Sequence, residues 1–218
     1  MAINLTKGQT VNLSKDKYDL SKVTIGLGWK VRQQGGSFFG KMFGTKQAEF
    51  DLDAIAFLLN EQGKVANIGV KKDIGGGRQR GLQDGDVIFY HNLRHTSGTV
   101  WHTGDERVGG AGSSDDEQII VKLNEVPDRY HKLLFLVTIY QGHKNSQHFG
   151  MVEGAYIRAV DARGEEIARY NLDSEAAYDQ KCSMLFGEVY RKDGGWKFRA
   201  TGNAQTTDSF VEFLKQYV

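Results

Sequence analysis

The sequence predicts an all-β dominated fold: a two-sheet β-sandwich with short peripheral helices, one of them at the C-terminus. Three observations predict it. Apolar stretches are mostly five to ten residues long, rich in β-branched and aromatic types, and bounded by Gly, Asn, Asp and Ser. The chain carries 27 glycines and one proline without collagen-like or low-complexity periodicity, which suits many turns between short strands. Only at the C-terminus does the period change, where Phe210, Phe213, Leu214 and Tyr217 follow helical spacing and Asp208 stands in position to cap the first turn.

Taken in order, strands are expected over 22–29, 50–59, 86–90, 99–102, 118–124, 133–140, 155–161, 167–172, 184–191 and 196–201. Asp193-Gly194-Gly195 joins the last two as a hairpin, and Arg163-Gly164 joins the pair before them. Leu133-Leu134-Phe135-Leu136-Val137 is apolar at every position, so both faces of that strand should be covered and the strand should lie centrally. Two stretches, 31–49 and 70–85, exceed the loop lengths usual in compact domains and read as insertions. The first carries Phe38, Phe39, Met42 and Phe43, which could form a docking face or cover one end of the sandwich. The second is glycine-rich with Lys71, Lys72, Arg78 and Arg80.

Length and charge exclude several classes. The 218 residues can bury an ample core. With 28 Lys plus Arg against 27 Asp plus Glu, global charge predicts neither a nucleic-acid binder nor a membrane-surface protein. A single cysteine, Cys182, rules out an internal disulfide and suits a reducing compartment. The opening residues show no signal-peptide pattern, and the densest apolar run is far shorter than the ~20 residues a spanning helix needs. A cytoplasmic protein is expected.

The strongest chemical signal is the segment from Thr103 to Glu117. It holds Asp105, Glu106, Asp115, Asp116 and Glu117 against Arg107 alone, together with four glycines. Calcium takes six to eight oxygen ligands, which a flexible acidic loop can supply. The spacing is not that of an EF-hand, because here an irregular loop leads into a strand. A second acidic pair could meet it: the strand period of two puts Asp51 and Asp53 on one face at the start of an otherwise buried strand. Such carboxylates repel unless they are solvated or bridged by a cation, and the residues alone leave both readings open.

Together with Gly26-Leu27-Gly28-Trp29, Phe50-Asp51-Leu52-Asp53-Ala54, Phe89-Tyr90-His91-Asn92-Leu93, and the acidic segment, several downstream blocks form one ordered set. These are Phe149-Gly150, Ala168-Arg169-Tyr170, Met184-Leu185-Phe186-Gly187-Glu188 and Trp196-Lys197-Phe198-Arg199-Ala200. The set resembles the TerD family of tellurium-resistance and stress-response proteins and covers most of the chain. The resemblance implies a single TerD-like domain over 1–218, with calcium as the metal and no catalytic activity. By position it implies the metal candidates Asp51, Asp53, Asn92, Asp105, Asp115, Asp116 and Glu117. It further implies other Ter-type proteins as partners, possibly at the inner face of the membrane, and no specific nucleic acid.

Departures from the family pattern bear on the metal. Lys30 stands where the family usually has Asp after Gly-Trp. Glu106 follows Gly104-Asp105 where Asn is usual, and Gly112-Ser113-Ser114 stands near the place of a Gly-Asp-Gly, in a loop one residue longer. Fewer charged ligands weaken a calcium site. Two arrangements are therefore expected to compete: a weakened calcium site, or a calcium-independent interaction module in which the Lys30 ammonium replaces an ion.

Other signals are thinner. His91, His95 and His102 lie near one turn, either as ligands of zinc or a tellurium oxyanion or as ordinary strand-end histidines. No Gly-x-Ser-x-Gly elbow is present, and Gly75-Gly76-Gly77-Arg78-Gln79-Arg80 lacks the Gly-Lys-Ser/Thr ending of a phosphate loop.

Overall fold

The computed structural model describes residues 2–31, 50–104, 115–172 and 176–218, with the side chains of Lys30, Val31 and Ala176 excepted. Residues 32–49 of the first insertion (31–49) and the acidic-loop residues 105–114, which include Asp105, lie outside this description.

Among the described residues, fourteen strands run in chain order: β1 (Ile3–Leu5), β2 (Thr10–Leu13), β3 (Val23–Val31), β4 (Leu52–Leu59), β5 (Val70–Asp73), β6 (Gln79–Gln83), β7 (Val87–Ile88), β8 (Val100–His102), β9 (Glu117–Val121), β10 (Lys132–Ile139), β11 (Val152–Val160), β12 (Glu166–Leu172), β13 (Ser183–Lys192) and β14 (Gly195–Gln205). The described residues also form two short helices, α1 (Gly142–Asn145) and α2 (Phe210–Leu214), and two 3-10 turns. One six-stranded sheet has the order β1-β12-β11-β3-β9-β8 and the other β2-β14-β13-β10-β4-β7; β5 and β6 form a separate ribbon.

The expected β-sandwich is thus present, and each of the ten expected strands has a counterpart. β1 and β2 were not foreseen. They are three and four residues long, and β1 joins its sheet parallel to β12, a pairing that no local turn announces. The 70–85 stretch is a hairpin rather than a loop, with Gly75, Gly76 and Gly77 all at positive φ in its turn.

Strand β10 lies between β4 and β13 with both faces covered. Leu133, Phe135 and Val137 enter the core between the sheets, beside Ile25, Leu27, Ile119, Ile157, Phe186 and Phe198. Leu134 and Leu136 point the other way, into a second cluster with Ile55, Phe57, Phe210, Phe213 and Leu214. Helix α2 closes that outer face, so its three buried side chains hold it in place rather than helix propensity. Asp208 does not cap it. The flanking residue is Ser209, whose side chain makes no capping bond, and the Asp208 carboxylate accepts from the His143 amide at 3.2 Å instead.

The β13–β14 turn follows the sequence closely. Lys192 pairs with Gly195, and Asp193 and Gly194 take φ of 55° and 75°. Two successive positive φ values make a type I′ turn, whose twist matches the flanking strands.

Candidate functional site

The Gly26-Leu27-Gly28-Trp29 block organises the acidic region. In β3, Leu27 faces the core while Gly26 and Gly28 face the opposite side of the sheet. Gly26 lies in register with Arg158 of β11 on one side and Gln118 of β9 on the other. The Asp115 carboxylate lies over it: a Cβ on Gly26 would stand 2.2 Å from Asp115 Oδ2, and one on Gly28 would stand 2.4 Å from the Tyr156 ring. These glycines leave the space in which the loop end docks onto the sheet.

Asp115 is held there by four donated hydrogen bonds. Its Oδ1 accepts from Tyr156 Oη at 2.8 Å and Arg158 Nε at 2.8 Å; Oδ2 accepts from Arg158 Nη2 at 3.0 Å and Gln118 Nε2 at 3.1 Å. The carboxylate is 1% exposed. Arg158 also bonds Glu166, which Arg169 clamps from the other side while stacking 4.1 Å from the Tyr156 ring centroid. Burial opposes the Arg158 charge, but the bonds it donates to Asp115 and Glu166 outweigh it and raise the guanidinium pKa.

The next two carboxylates turn the other way. Asp116 Oδ2 accepts from the Trp29 amide at 2.9 Å, and the Asp116 amide donates to Leu27 O at 2.7 Å. Glu117 Oε2 accepts from the Ala54 amide, a bond that joins the two sheets, and lies 3.5 Å from His102 Nε2. His102 Nδ1 accepts from the Gly104 amide, so the proton sits on Nε2, facing Glu117. Each acid therefore commits one oxygen to the scaffold.

Asp51 and Asp53, at the start of β4, border the same space. The four carboxylates line one cleft of about 560 Å3 with Trp29, Phe50, Leu52, Tyr90, His91 and Tyr140. Burial, then the Asp53 carboxylate, pushes the Tyr90 phenol above its ordinary pKa. Oxygen donors from two strand starts suit a hard cation of the calcium type. Among the described residues, no three His, Cys, Asp or Glu side chains are arranged to hold a metal ion. Remaining ligands would have to come from main-chain carbonyls, water or the adjoining 105–114 segment.

The comparisons decide the family. The TerD domain matches residues 1–69 and 74–217. The chain belongs to the TerD family. The tellurium resistance protein TerX of Serratia marcescens is 50% identical over 218 residues, all of both chains. The tellurium resistance protein TerD of an Alcaligenes species is 43% identical over 203 residues, covering 93% of this chain and 90% of its own. The stress response protein SCP2 of Bacillus subtilis is 38% identical over 219 residues, with both chains fully covered. A solved homologue of a telluride resistance protein from Streptomyces coelicolor shares the fold at TM-score 0.56 and 15% identity, covering 91% of this chain and 98% of its own. The break in the TerD match, between residues 69 and 74, coincides with β5.

Of the sequence candidates, the TerD fold brings Asp51, Asp53, Asp116 and Glu117 to one cleft. Asp115 lies nearby with its oxygens engaged by Arg158, Tyr156 and Gln118. Asn92 is absent from the cleft lining: its amide donates to Val87 O at 2.7 Å and Gly85 O at 3.4 Å, and its Oδ1 accepts from the Asp84 amide. Lys30 sits in β3 opposite Glu153. Sequence reasoning missed Arg158 and Tyr156. The signal was their shared face, since they are two residues apart on β11.

His95 joins a buried network rather than a histidine cluster. Asp86 Oδ1 accepts from Tyr130 Oη at 2.7 Å and lies 3.1 Å from His95 Nε2, while Oδ2 accepts from the Asn67 amide at 3.0 Å. Burial raises the Asp86 pKa, but these bonds outweigh it and the net shift is downward. Burial and the bond to Asp86 push Tyr130 up to about 12. A depressed folded pKa means that Asp86 contributes stability above its unfolded value, about pH 4, and that the contribution is lost as pH falls through the lower folded value. Asp86→Asn should therefore lower stability at neutral pH and flatten the acid limb of a urea-unfolding series. An unchanged acid limb would show that Asp86 does not carry it.

Proposed function

We propose that this TerD-family protein is a non-catalytic calcium-binding stress protein of the cytoplasm. In this reading the ion bridges the start of β4 to the start of β9 and orders the acidic loop for a protein partner. One observation carries the reading: Asp51, Asp53, Asp116 and Glu117 line a single cleft. Names among the relatives, tellurium resistance and stress response, agree with a stress role. Among the described residues no helix is long and apolar enough to cross a membrane.

The chain's own residues prepare the site. Trp29 and Ala54 amides fix one oxygen each of Asp116 and Glu117, which orients the carboxylates before any ion arrives. Like charges gathered in one cleft repel, so an ion that binds there only in the folded state relieves the repulsion and stabilises that state. Other Ter-type proteins are the partners proposed for the ordered surface.

The test is thermal unfolding of EDTA-stripped protein with millimolar calcium, with magnesium as control. Occupancy at 100 times the dissociation constant adds about 2.7 kcal/mol. For a chain of this size that is a rise of roughly 5–10 °C. Asp53→Asn with Asp116→Asn should abolish the rise. No calcium-specific shift in the parent protein would overturn the reading.

The second reading, a calcium-independent interaction module, gains from one observation. A protein cation already neutralises the loop end, though it is Arg158 that meets Asp115. Under this reading Asp116 and Glu117 serve only as backbone caps, and the same titration separates the two.

A further inference from the structure

Beside the acidic cleft, and sharing Tyr90 and His91 with it, runs an open groove of about 600 Å3 between the β5–β6 hairpin and α2. Its chemistry is opposite. The hairpin carries Lys71, Lys72, Arg78 and Arg80 against Asp73 alone. Lys72 is matched by Asp84 at 2.6 Å. Arg78 and Arg80 line the groove, and among the described residues neither has an acidic partner. Arg80 lies close enough to His91 to help depress its pKa, after burial. The field along this side of the groove is positive.

The groove wall is apolar. Ile74, Tyr90 and Val211, three of the large hydrophobic side chains left exposed, converge there with Phe89, Leu82 and Phe210. Exposed apolar side chains gathered beside unpaired cations mark an interaction surface more than scattered singles do. The strand on the groove side adds a third feature. Among the described residues β6 pairs with β5 alone, and residues 79–82 line the groove; Gly81 O already accepts from Gln83 Nε2 at 3.0 Å and Leu82 takes a φ of 59°, so the extended part of this edge is Gln79–Gly81. An open edge supplies main-chain hydrogen bonds to an added strand, whose alternate side chains fall to opposite sides.

We propose that this groove binds an extended acidic segment of a partner protein, one that alternates Asp or Glu with apolar residues. The segment adds as a strand to β6. Its apolar side chains rest against Ile74, Phe89 and Val211, and its carboxylates meet Arg78 and Arg80. A nucleic acid would satisfy the arginines but leave the apolar wall and the strand edge unused. This proposal does not rest on the metal reading, since none of its contacts involves the four cleft carboxylates.

The test pans a phage-displayed random peptide library on the immobilised full chain, then measures the enriched peptide by fluorescence polarisation. Enriched sequences should alternate acidic and apolar residues. Arg78→Glu with Arg80→Glu, both away from the core, should weaken binding by about tenfold or more. Methylating alternate peptide amides should abolish it, because the strand pairing loses its donors. A far-ultraviolet spectrum and melting curve matching the parent would show the variant folded. The proposal is overturned if no sequence is enriched over a blank surface, if enriched sequences lack the acidic–apolar pattern, or if the charge reversal leaves binding unchanged. Tighter binding to single-stranded oligonucleotide or phosphatidylserine vesicles than to the enriched peptide would overturn it as well.

Discussion

Arg158→Leu is expected to destabilise the protein by about 3–5 kcal/mol, because it leaves a buried carboxylate without its cation. Asp115 is almost wholly enclosed over Gly26, where water cannot replace the two guanidinium bonds. Tyr156 and Gln118 would remain as donors, but neither carries charge. At about 2–4 °C per kcal/mol for a chain of this size, the melting temperature should fall by roughly 10 °C. The companion Asp115→Asn in the Arg158→Leu background should recover much of the loss, since the unpaired charge is gone. A loss below about 1 kcal/mol in the single variant would show that the pair behaves like a solvated surface bridge.

A comparably large loss, about 3–5 kcal/mol, is expected for Phe135→Ala. Phe135 is fully buried on the central strand β10, opposite Ala56 and Gly187. Small residues on both flanks show that the ring itself fills this part of the layer, and little nearby can collapse into the space it leaves. Leu134→Ala on the other face should cost about 2–5 kcal/mol and should loosen α2, whose Phe210 and Phe213 share that cluster. Urea unfolding gives both values. If Phe135→Ala were nearly neutral, the inter-sheet core would have to be far more plastic than close-packed interiors are.

The same strand explains why much of the fold was legible. An apolar run too short to be a spanning helix, bounded by turn residues, has to be covered twice, and β10 is. The Asp193-Gly194 turn was legible because only a few residue types accept two positive φ values in succession. β1 was not, because three residues carry no period and their partner β12 lies more than 160 positions away. The β5–β6 hairpin was hidden by composition: Lys71-Lys72-Asp73 has no apolar alternation, and all four β5 residues are exposed.

In the site, local pattern was enough for Asp51 and Asp53, whose period-two spacing places both at the start of β4, and for Asp116 and Glu117 at the start of β9. It was not enough for Asp115, the neighbour of Asp116. Their carboxylates face different surroundings, and the cation that claims Asp115 comes from position 158. Asn92 likewise carries a residue type fit for calcium, yet it is absent from the cleft lining and its Oδ1 accepts from the Asp84 amide at 3.3 Å. Sequence names the donors; only the fold shows which of them are already committed.

The central claim is a cation held between β4 and β9, and the aromatic lining offers a direct probe. Trp29, Tyr90 and Tyr140 border the same cleft as the four carboxylates. A terbium ion bound there would receive energy from these rings and emit when tryptophan is excited. Terbium titration of EDTA-stripped protein should give sensitised emission that calcium displaces, that Trp29→Phe reduces, and that Asp53→Asn with Asp116→Asn eliminates. Absence of sensitised emission, or emission unchanged in the double variant, would contradict a metal in this cleft.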